Sequence, residues 1–214
     1  IQDLVAVVGG DFASPVADFS GANSALSTPF VDTEVLWGTV DPPGNSSNNS
    51  GVVLRLTVYG KSILLTGDID DDVEAELTAA HIKNELSLSS DVLKVPHHGS
   101  DSSSSEVFLN AVFGAIPSTD RRAVIQSGTR EFNGASLPRA EIVDRLRTFL
   151  GDGQLLSTEH DDEGKSTSES AGDDHVVLTI EPGGRIHLCY NPGGLVQAGE
   201  EGSRQLEEEL DDEF

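Results

Sequence analysis

The chain has 214 residues, of which 37 are acidic and 13 are lysine or arginine, so its net charge is −24 at pH 7. This charge repels nucleic acid and anionic membranes at long range and excludes an extended basic binding face. Apolar residues make up 36% of the chain, which is enough for a buried core, and no apolar run is long enough to span a bilayer. The single cysteine excludes an internal disulfide and a cysteine-only metal site.

The acidic excess and the small number of lysines predict a soluble protein adapted to high salt, where screening removes the repulsion between like charges. A halophilic source is the preferred interpretation, and an ordinary acidic protein with an acidic tail is the alternative. The location is then either the cytoplasm of a halophile or outside the cell after loss of an N-terminal signal. The chain contains no methionine, so its start at Ile1 suggests a piece of a longer protein.

The predicted elements alternate between strand and helix. Residues 1–30 are rich in small and polar side chains and are predicted to be irregular. From residue 31 to 190, apolar spacing predicts strands at 35–37, 52–59, 62–65, 92–95, 123–127 and 155–156, helices at 71–82, 107–112 and 138–150, and a hairpin at 176–180 and 185–190. Residues 191–214 are predicted to form a flexible acidic tail, because a run of like charges cannot be buried. The alternation indicates an α/β layered domain over residues 31–190.

Two predicted strands end at metal-binding side chains beside a glycine. Strand 62–65 leads into Thr66-Gly67-Asp68, and strand 92–95 leads into Pro96-His97-His98-Gly99-Ser100. Carboxylate and imidazole groups bind divalent cations such as zinc, manganese or iron. Taken alone, Asp68 is more typical of a turn residue that caps the next helix. Adjacent histidines at a strand end point in different directions, so at most one of them is expected to bind the metal while the other contacts substrate or supports the site.

The joint pattern, Leu64-Leu65-Thr66-Gly67-Asp68 followed by a helix and Leu93-Lys94-Val95-Pro96-His97-His98-Gly99-Ser100, resembles the second half of the metallo-β-lactamase fold. The resemblance is closest to the domain at the end of ComEC-type DNA-uptake proteins, and it covers about residues 31–190. It implies an αββα sandwich whose N-terminal part is missing here. It also implies that Asp68 bridges two divalent ions, zinc or manganese, that His97 is a ligand with His98 as its competitor, and that Ser100 lines the site.

Two departures from the family pattern limit this assignment. The other ligands of the family come from an earlier His-x-His-x-Asp-His motif, which these 214 residues do not contain, so the metal site is incomplete. The segment from Ser127 to Pro138 is similar to a family loop that usually contains Asn-x-x-Gly-His-Pro. Asn133 would contact substrate from this loop, but Ser136 and Leu137 stand where glycine and histidine are expected.

Two functions remain open from the sequence. The first is a metal-dependent hydrolase of the phosphodiesterase or nuclease type, inactive as this piece alone, with DNA, a short oligonucleotide, a cyclic nucleotide or another small ester as substrate. The second is a non-catalytic binding or structural domain that keeps the fold and has lost the metal site. A fragment of an enzyme is the preferred interpretation. Lys94 either orients a phosphate or lies on the outer face of its strand, and the other histidines, at positions 81, 160, 175 and 187, are assigned to surface or packing.

Overall fold

A six-stranded sheet forms the centre of the protein. The structure is a computed structural model that describes residues 27–39, 42–116, 120–127, 136–151, 153–158 and 175–191. The strands, in their order across the sheet, are β1 (Asp32–Trp37), β2 (Val53–Val58), β3 (Lys61–Leu65), β4 (Val92–Lys94), β5 (Arg122–Ile125) and β6 (Leu155–Ser157). The first three strands pair antiparallel, and β3 to β6 pair parallel. The described part of the chain is therefore a mixed α/β fold.

Three helices cover one face of this sheet. They are α1 (Asp71–Ile82), α2 (Glu106–Phe113) and α3 (Ala140–Phe149), each of which connects or follows strands of the parallel half. The register places Leu64, Leu93 and Ala123 side by side on the covered face. These residues share one core with Val73, Leu77, Phe108, Leu109, Ile142 and Leu146 of the helices. None of the helices in the described ranges has the length and apolarity needed to cross a membrane.

Most predicted elements are confirmed, with small shifts at their ends. The turn between β2 and β3 lies at Tyr59 and Gly60, whose φ angles are 49° and 76°, because Lys61 already pairs with Val58. Helix α3 begins at Ala140 instead of residue 138, since Arg139 has an extended backbone. The predicted irregular segment 1–30 lies outside the described residues except for 27–30, and so does the predicted tail, except for residue 191, where a strand ends.

The opposite face of the sheet carries a second, incomplete apolar layer. Register places Leu54 opposite Leu65 and Leu56 opposite Ile63, and all four side chains are half-buried. The predicted terminal hairpin is present as β7 (His175–Ile180) and β8 (Ile186–Asn191), which form a two-stranded sheet of their own among the described residues. This hairpin is tied to the main sheet near its end, where the hydroxyl of Tyr190 accepts a 3.1 Å hydrogen bond from the Ser157 N–H.

A buried carboxylate joins α1 to the start of α2. Glu74 is fully buried, and its two oxygens accept hydrogen bonds from the N–H groups of Ser104 and Ser105 at 2.5 and 2.8 Å. Burial raises the pKa of Glu74, although these two bonds oppose the shift. The carboxylate occupies the position where the N–H groups at a helix start bind anions. The two N–H groups just before α2 therefore have their partner within the protein.

Candidate functional site

The candidate site lies at the carboxyl end of the parallel strands β3 and β4. Leu65 pairs with Lys94 at the last position of both strands, so the two following loops meet at one edge of the sheet. In the first loop, the Thr66 hydroxyl donates a 2.8 Å hydrogen bond to the Lys94 carbonyl, and Gly67 adopts a φ of 58°. Asp68 follows at the rim and is 42% exposed, whereas Ile69 is fully buried and anchors the loop.

The second loop places its two histidines on opposite sides. His97, His98 and Gly99 all have left-handed backbones, with φ values of 46°, 56° and 78°. This conformation costs roughly 1–3 kcal/mol for each residue that is not glycine and is concentrated at functional sites. At Gly99 a Cβ atom would lie 2.7 Å from the Cβ of Pro138, so only glycine fits there. The imidazole rings are 6.3 Å apart and inclined at 64°, and they contact different partners.

His98 is the histidine that faces Asp68. Its Nε2 lies 3.3 Å from Oδ2 of Asp68, and its Nδ1 lies 2.5 Å from the carbonyl oxygen of Gln126, just after β5. Because a carbonyl oxygen can only accept, Nδ1 carries a proton, and Nε2 is the ring nitrogen that faces the carboxylate. A proton on Nε2, or a cation between Nε2 and Oδ2, would satisfy both groups. Metal-binding histidines commonly have their second ring nitrogen held in this way.

His97 belongs to a separate network. Its Nδ1 donates to Oδ1 of Asp70 at 2.8 Å, the same oxygen accepts a 2.7 Å bond from the Ser102 hydroxyl, and its Nε2 lies 3.3 Å from Nδ2 of Asn48. Burial alone would raise the pKa of Asp70, but hydrogen bonds from Ser46, Ser102 and His97 lower it overall. Both ring nitrogens of His97 are thus engaged away from Asp68.

The sequence favoured His97 over His98 as the metal ligand, and the two histidines differ in how close they lie to Asp68. The structure brings His98 to Asp68 and turns His97 towards Asp70, although metal binding by Asp68, His97 or His98 stays a prediction. Ser100 is nearly buried and its hydroxyl lies 3.2 Å from that of Ser102, so it supports the second loop. Asn133, the predicted substrate contact, lies outside the described residues.

The Lys94 side chain points to the rim of this site. That direction is the one needed to orient a phosphate, although contact with a phosphate stays a prediction. Its Nζ donates to the Gly67 carbonyl at 2.8 Å and lies 3.4 Å from Oδ1 of Asp68. Burial lowers the pKa of Lys94, and the neighbouring Asp68 carboxylate opposes that shift. Asp68 therefore has a cation at one oxygen and an imidazole at the other.

Asn49 is a further supporting residue that sequence reasoning missed. Its side chain is fully buried; Oδ1 accepts from the Asp70 N–H at 2.9 Å and Nδ2 donates to the Pro43 carbonyl at 3.0 Å. Its backbone carbonyl accepts a 2.9 Å bond from the indole N–H of Trp37. The sequence carried one signal for this role: Asn49 lies in the polar stretch from residue 45 to 50, and asparagine side chains often replace backbone partners in tight turns.

Asp68 and His98 have the chemistry of ligands for a divalent ion, but two ligands are too few to form a complete site. A carboxylate oxygen and an imidazole nitrogen with its second nitrogen anchored are ordinary ligands for zinc or manganese. Among the residues that the structure describes, no group of three or more histidine, cysteine, aspartate or glutamate side chains is placed to hold a metal. Asp68 and His98 would supply two ligands of such a site.

Comparison with known proteins relates the chain to competence proteins. No model of a known protein family matches it. It is 46% identical over 143 residues to the competence protein ComA of Neisseria gonorrhoeae, a match that covers 65% of this chain and 19% of that protein. It is 40% identical over 68 residues to the ComE operon protein 3 of Bacillus subtilis, covering 32% of this chain and 8% of that protein.

A third relative is YcaI of Escherichia coli, an uncharacterized protein that is 29% identical over 116 residues, covering 54% of this chain and 14% of that protein. The chain thus spans less than a fifth of the length of each of these curated relatives. It is similar to a limited segment of two competence proteins.

Proposed function

We propose that the chain is the C-terminal portion of a metallo-β-lactamase-type hydrolase domain, acting on phosphodiesters in a competence-related protein. The observation that carries the proposal is the convergence of Asp68 and His98 at the carboxyl edge of the sheet, 3.3 Å apart. The left-handed backbone at His98 supports it, because strain of this kind persists where a side chain must be aimed at a site. The names of the two competence relatives support the competence-related part of the proposal.

The arrangement of layers also supports this proposal. Helices cover one face of the main sheet, and the half-buried apolar face opposite them is the one that a second sheet would cover in an αββα sandwich. The hairpin of β7 and β8 is already tied to the main sheet through Tyr190 and Ser157. In this proposal the hairpin is part of that second sheet.

A divalent ion held by Asp68, His98 and further ligands would supply Lewis acidity at the phosphate and activate water for hydrolysis. The chain's own residues prepare that position. Gln126 fixes the tautomer and direction of His98, and Gly67 with Lys94 holds the Asp68 carboxylate at the rim. A net charge of −24 provides no extended basic groove, so substrate would be held locally at this rim. DNA, a short oligonucleotide and a smaller phosphate ester all carry the group that such a site recognises.

The test compares metal content and turnover of single variants, with the protein expressed as encoded, including whatever its gene places before Ile1. Bound manganese and zinc would be measured by mass spectrometry after dialysis, and hydrolysis of bis(p-nitrophenyl) phosphate would be followed in parallel. Asp68→Ala and His98→Ala should each lower turnover by at least about 100-fold and lose metal. Asp144→Ala, which removes an exposed carboxylate of α3, is the matched control and should change neither.

His97→Ala separates the two histidines. It should retain most of the metal, because His97 is bonded to Asp70 and Asn48 instead of Asp68. If Asp68→Ala keeps both metal and turnover, the assignment of the site is wrong. If the unmodified protein neither binds metal nor hydrolyses the ester, the alternative of a non-catalytic domain with this fold is the correct one.

A further inference from the structure

We propose that Asp70 and His97 form a latch that positions His98 against Asp68. The latch is the hydrogen-bonded pair of the Asp70 carboxylate and the His97 imidazole, which join the two loops at the rim. In this role both are positioning residues that act through His98. The inference rests on the proposed function and concerns two residues to which that function assigns no task.

The side chain of Asp70 is not used where its position in the chain would favour it. An aspartate directly before a helix commonly accepts hydrogen bonds from N–H groups of the first helical turn. In the described part of the chain, the Asp70 carboxylate makes no such bond to α1. The Asp71 N–H at the helix start donates to the Ser102 carbonyl at 2.8 Å instead. The carboxylate is therefore directed at the second loop, and that loop in turn satisfies the helix start.

One oxygen of Asp70 ties down both ends of the segment that contains His98. Its Oδ1 accepts from Nδ1 of His97 at 2.8 Å and from the Ser102 hydroxyl at 2.7 Å. These two residues lie on either side of His98 in the chain. The Asp70 side chain is only 12% exposed, so water competes weakly for the two bonds.

The backbone of this segment needs such a restraint. His97 and His98 have φ angles of 46° and 56°, a left-handed conformation that residues with a Cβ atom disfavour. The His97 N–H also donates to the Gly67 carbonyl at 3.2 Å, which ties the segment to the first loop. Because the backbone decides which rotamers a side chain can adopt, release of His97 would turn the neighbouring ring away from Asp68. The latch thus acts on His98 through the peptide bond that the two histidines share.

Two carboxylate–imidazole pairs lie side by side at the rim, and they differ in exposure. Asp68 faces His98 and is 42% exposed, whereas Asp70 faces His97 and is 12% exposed. The two imidazole centroids are 6.3 Å apart. The second ring nitrogen of His97 lies 3.3 Å from Nδ2 of Asn48, so the inner pair is engaged within the protein. The outer pair can receive an ion or a substrate from solvent, and the inner pair holds it in place.

The experiment observes imidazole N–H protons by NMR, in the protein as encoded, labelled with ¹⁵N in its histidines and without added metal. The His98 Nδ1–H should give a persistent resonance in water, because the Gln126 carbonyl holds this proton and slows its exchange. The resonance is assigned by its loss in His98→Gln.

Three variants at the start of α1 test the latch. Asp70→Ala removes the acceptor and should lose the His98 resonance in protein that is folded by circular dichroism. Asp70→Asn keeps an oxygen that can accept from His97 and should retain the resonance. Asp72→Ala removes an exposed carboxylate of the first turn of α1, and as the matched control it should retain the resonance too.

Kinetics on the same variants separate positioning from a general loss of structure. With bis(p-nitrophenyl) phosphate as substrate, Asp70→Ala should lower kcat by about 10- to 100-fold, the range found when groups that orient a metal ligand are removed. Its KM should change by less than about 2-fold, because the latch does not touch the substrate. Asp70→Asn should restore most of kcat.

The outcomes distinguish the latch from the proposed function. A His98 resonance that persists in folded Asp70→Ala, or that is absent from the unmodified protein, would overturn the latch. If Asp70→Ala does not fold, His97→Ala removes the other half of the latch, and persistence of the resonance there would overturn it as well. If the resonance is lost in Asp70→Ala while the unmodified protein neither binds metal nor hydrolyses the ester, the latch is supported and the proposed function is wrong.

Discussion

Replacing Asn49 with alanine should destabilise the protein more than any other single asparagine-to-alanine change in this loop. The variant leaves two backbone groups without partners: the Asp70 N–H, bonded at 2.9 Å, and the Pro43 carbonyl, bonded at 3.0 Å. An unsatisfied buried polar group costs about 1–3 kcal/mol, and the Pro43 bond is only partly buried, so we expect a loss of about 2–5 kcal/mol. Total unfolding free energies are about 5–15 kcal/mol, so the change is a large share of stability.

The assay is urea unfolding at equilibrium, followed by circular dichroism and by fluorescence. Trp37 is the only tryptophan, and its indole N–H is bonded to the Asn49 carbonyl, so its emission reports on this loop. Asn48→Ala is the matched control. In the part of the chain that the structure describes, the Asn48 side chain makes a 3.3 Å contact with His97, so its loss should cost less than about 1 kcal/mol. If the two variants differ by less than about 0.5 kcal/mol, the reasoning about buried unsatisfied groups is refuted.

Two further predictions concern charge. Asp91 accepts bonds from the Ser62 N–H at 2.9 Å and from Lys61 at 3.0 Å; burial alone would raise its pKa, but these bonds lower it below the ordinary value of 3.8. Stability from Asp91 is therefore present above about pH 4 and lost as the pH falls through the lowered pKa. The gap in unfolding free energy between the unmodified protein and Asp91→Asn should be the same at about pH 6 and pH 5 and should shrink as the pH falls below about 4. An unchanged gap would contradict this. A net charge of −24 predicts that the unfolding midpoint rises steeply as KCl increases from about 0.1 to 1 M, and a flat response would count against adaptation to high salt.

The order of the helices and strands could be predicted from the sequence, because the apolar patterns that mark each of them are local. Short apolar runs, such as Ile63-Leu64-Leu65 and Val92-Leu93, identified the strands, and glycine at position 60 located the hairpin to within one residue. The positions where β3 and β4 end were visible for the same reason. Since parallel strands end at one edge of a sheet, the sequence also placed Asp68 and the histidine pair near each other.

The partners within the site depended on contacts between distant segments. Which histidine faces Asp68 is decided by left-handed backbones at His97 and His98, and by the Gln126 carbonyl and Asp70, which lie on other elements. The periodicity of strand β4 did not predict where the Lys94 ammonium lies. A long side chain at the end of a strand can place its charged group in several directions.

The amino-acid sequence by itself thus determined the elements, the acidic surface and the two loops that carry the candidate ligands. Tertiary structure alone decided that His98 is the partner of Asp68 and that Lys94 lies at the other carboxylate oxygen. The physical reason is that apolar patterning acts between neighbours along the chain, whereas each hydrogen bond that aims these side chains joins residues brought together only when the sheet and its loops have formed.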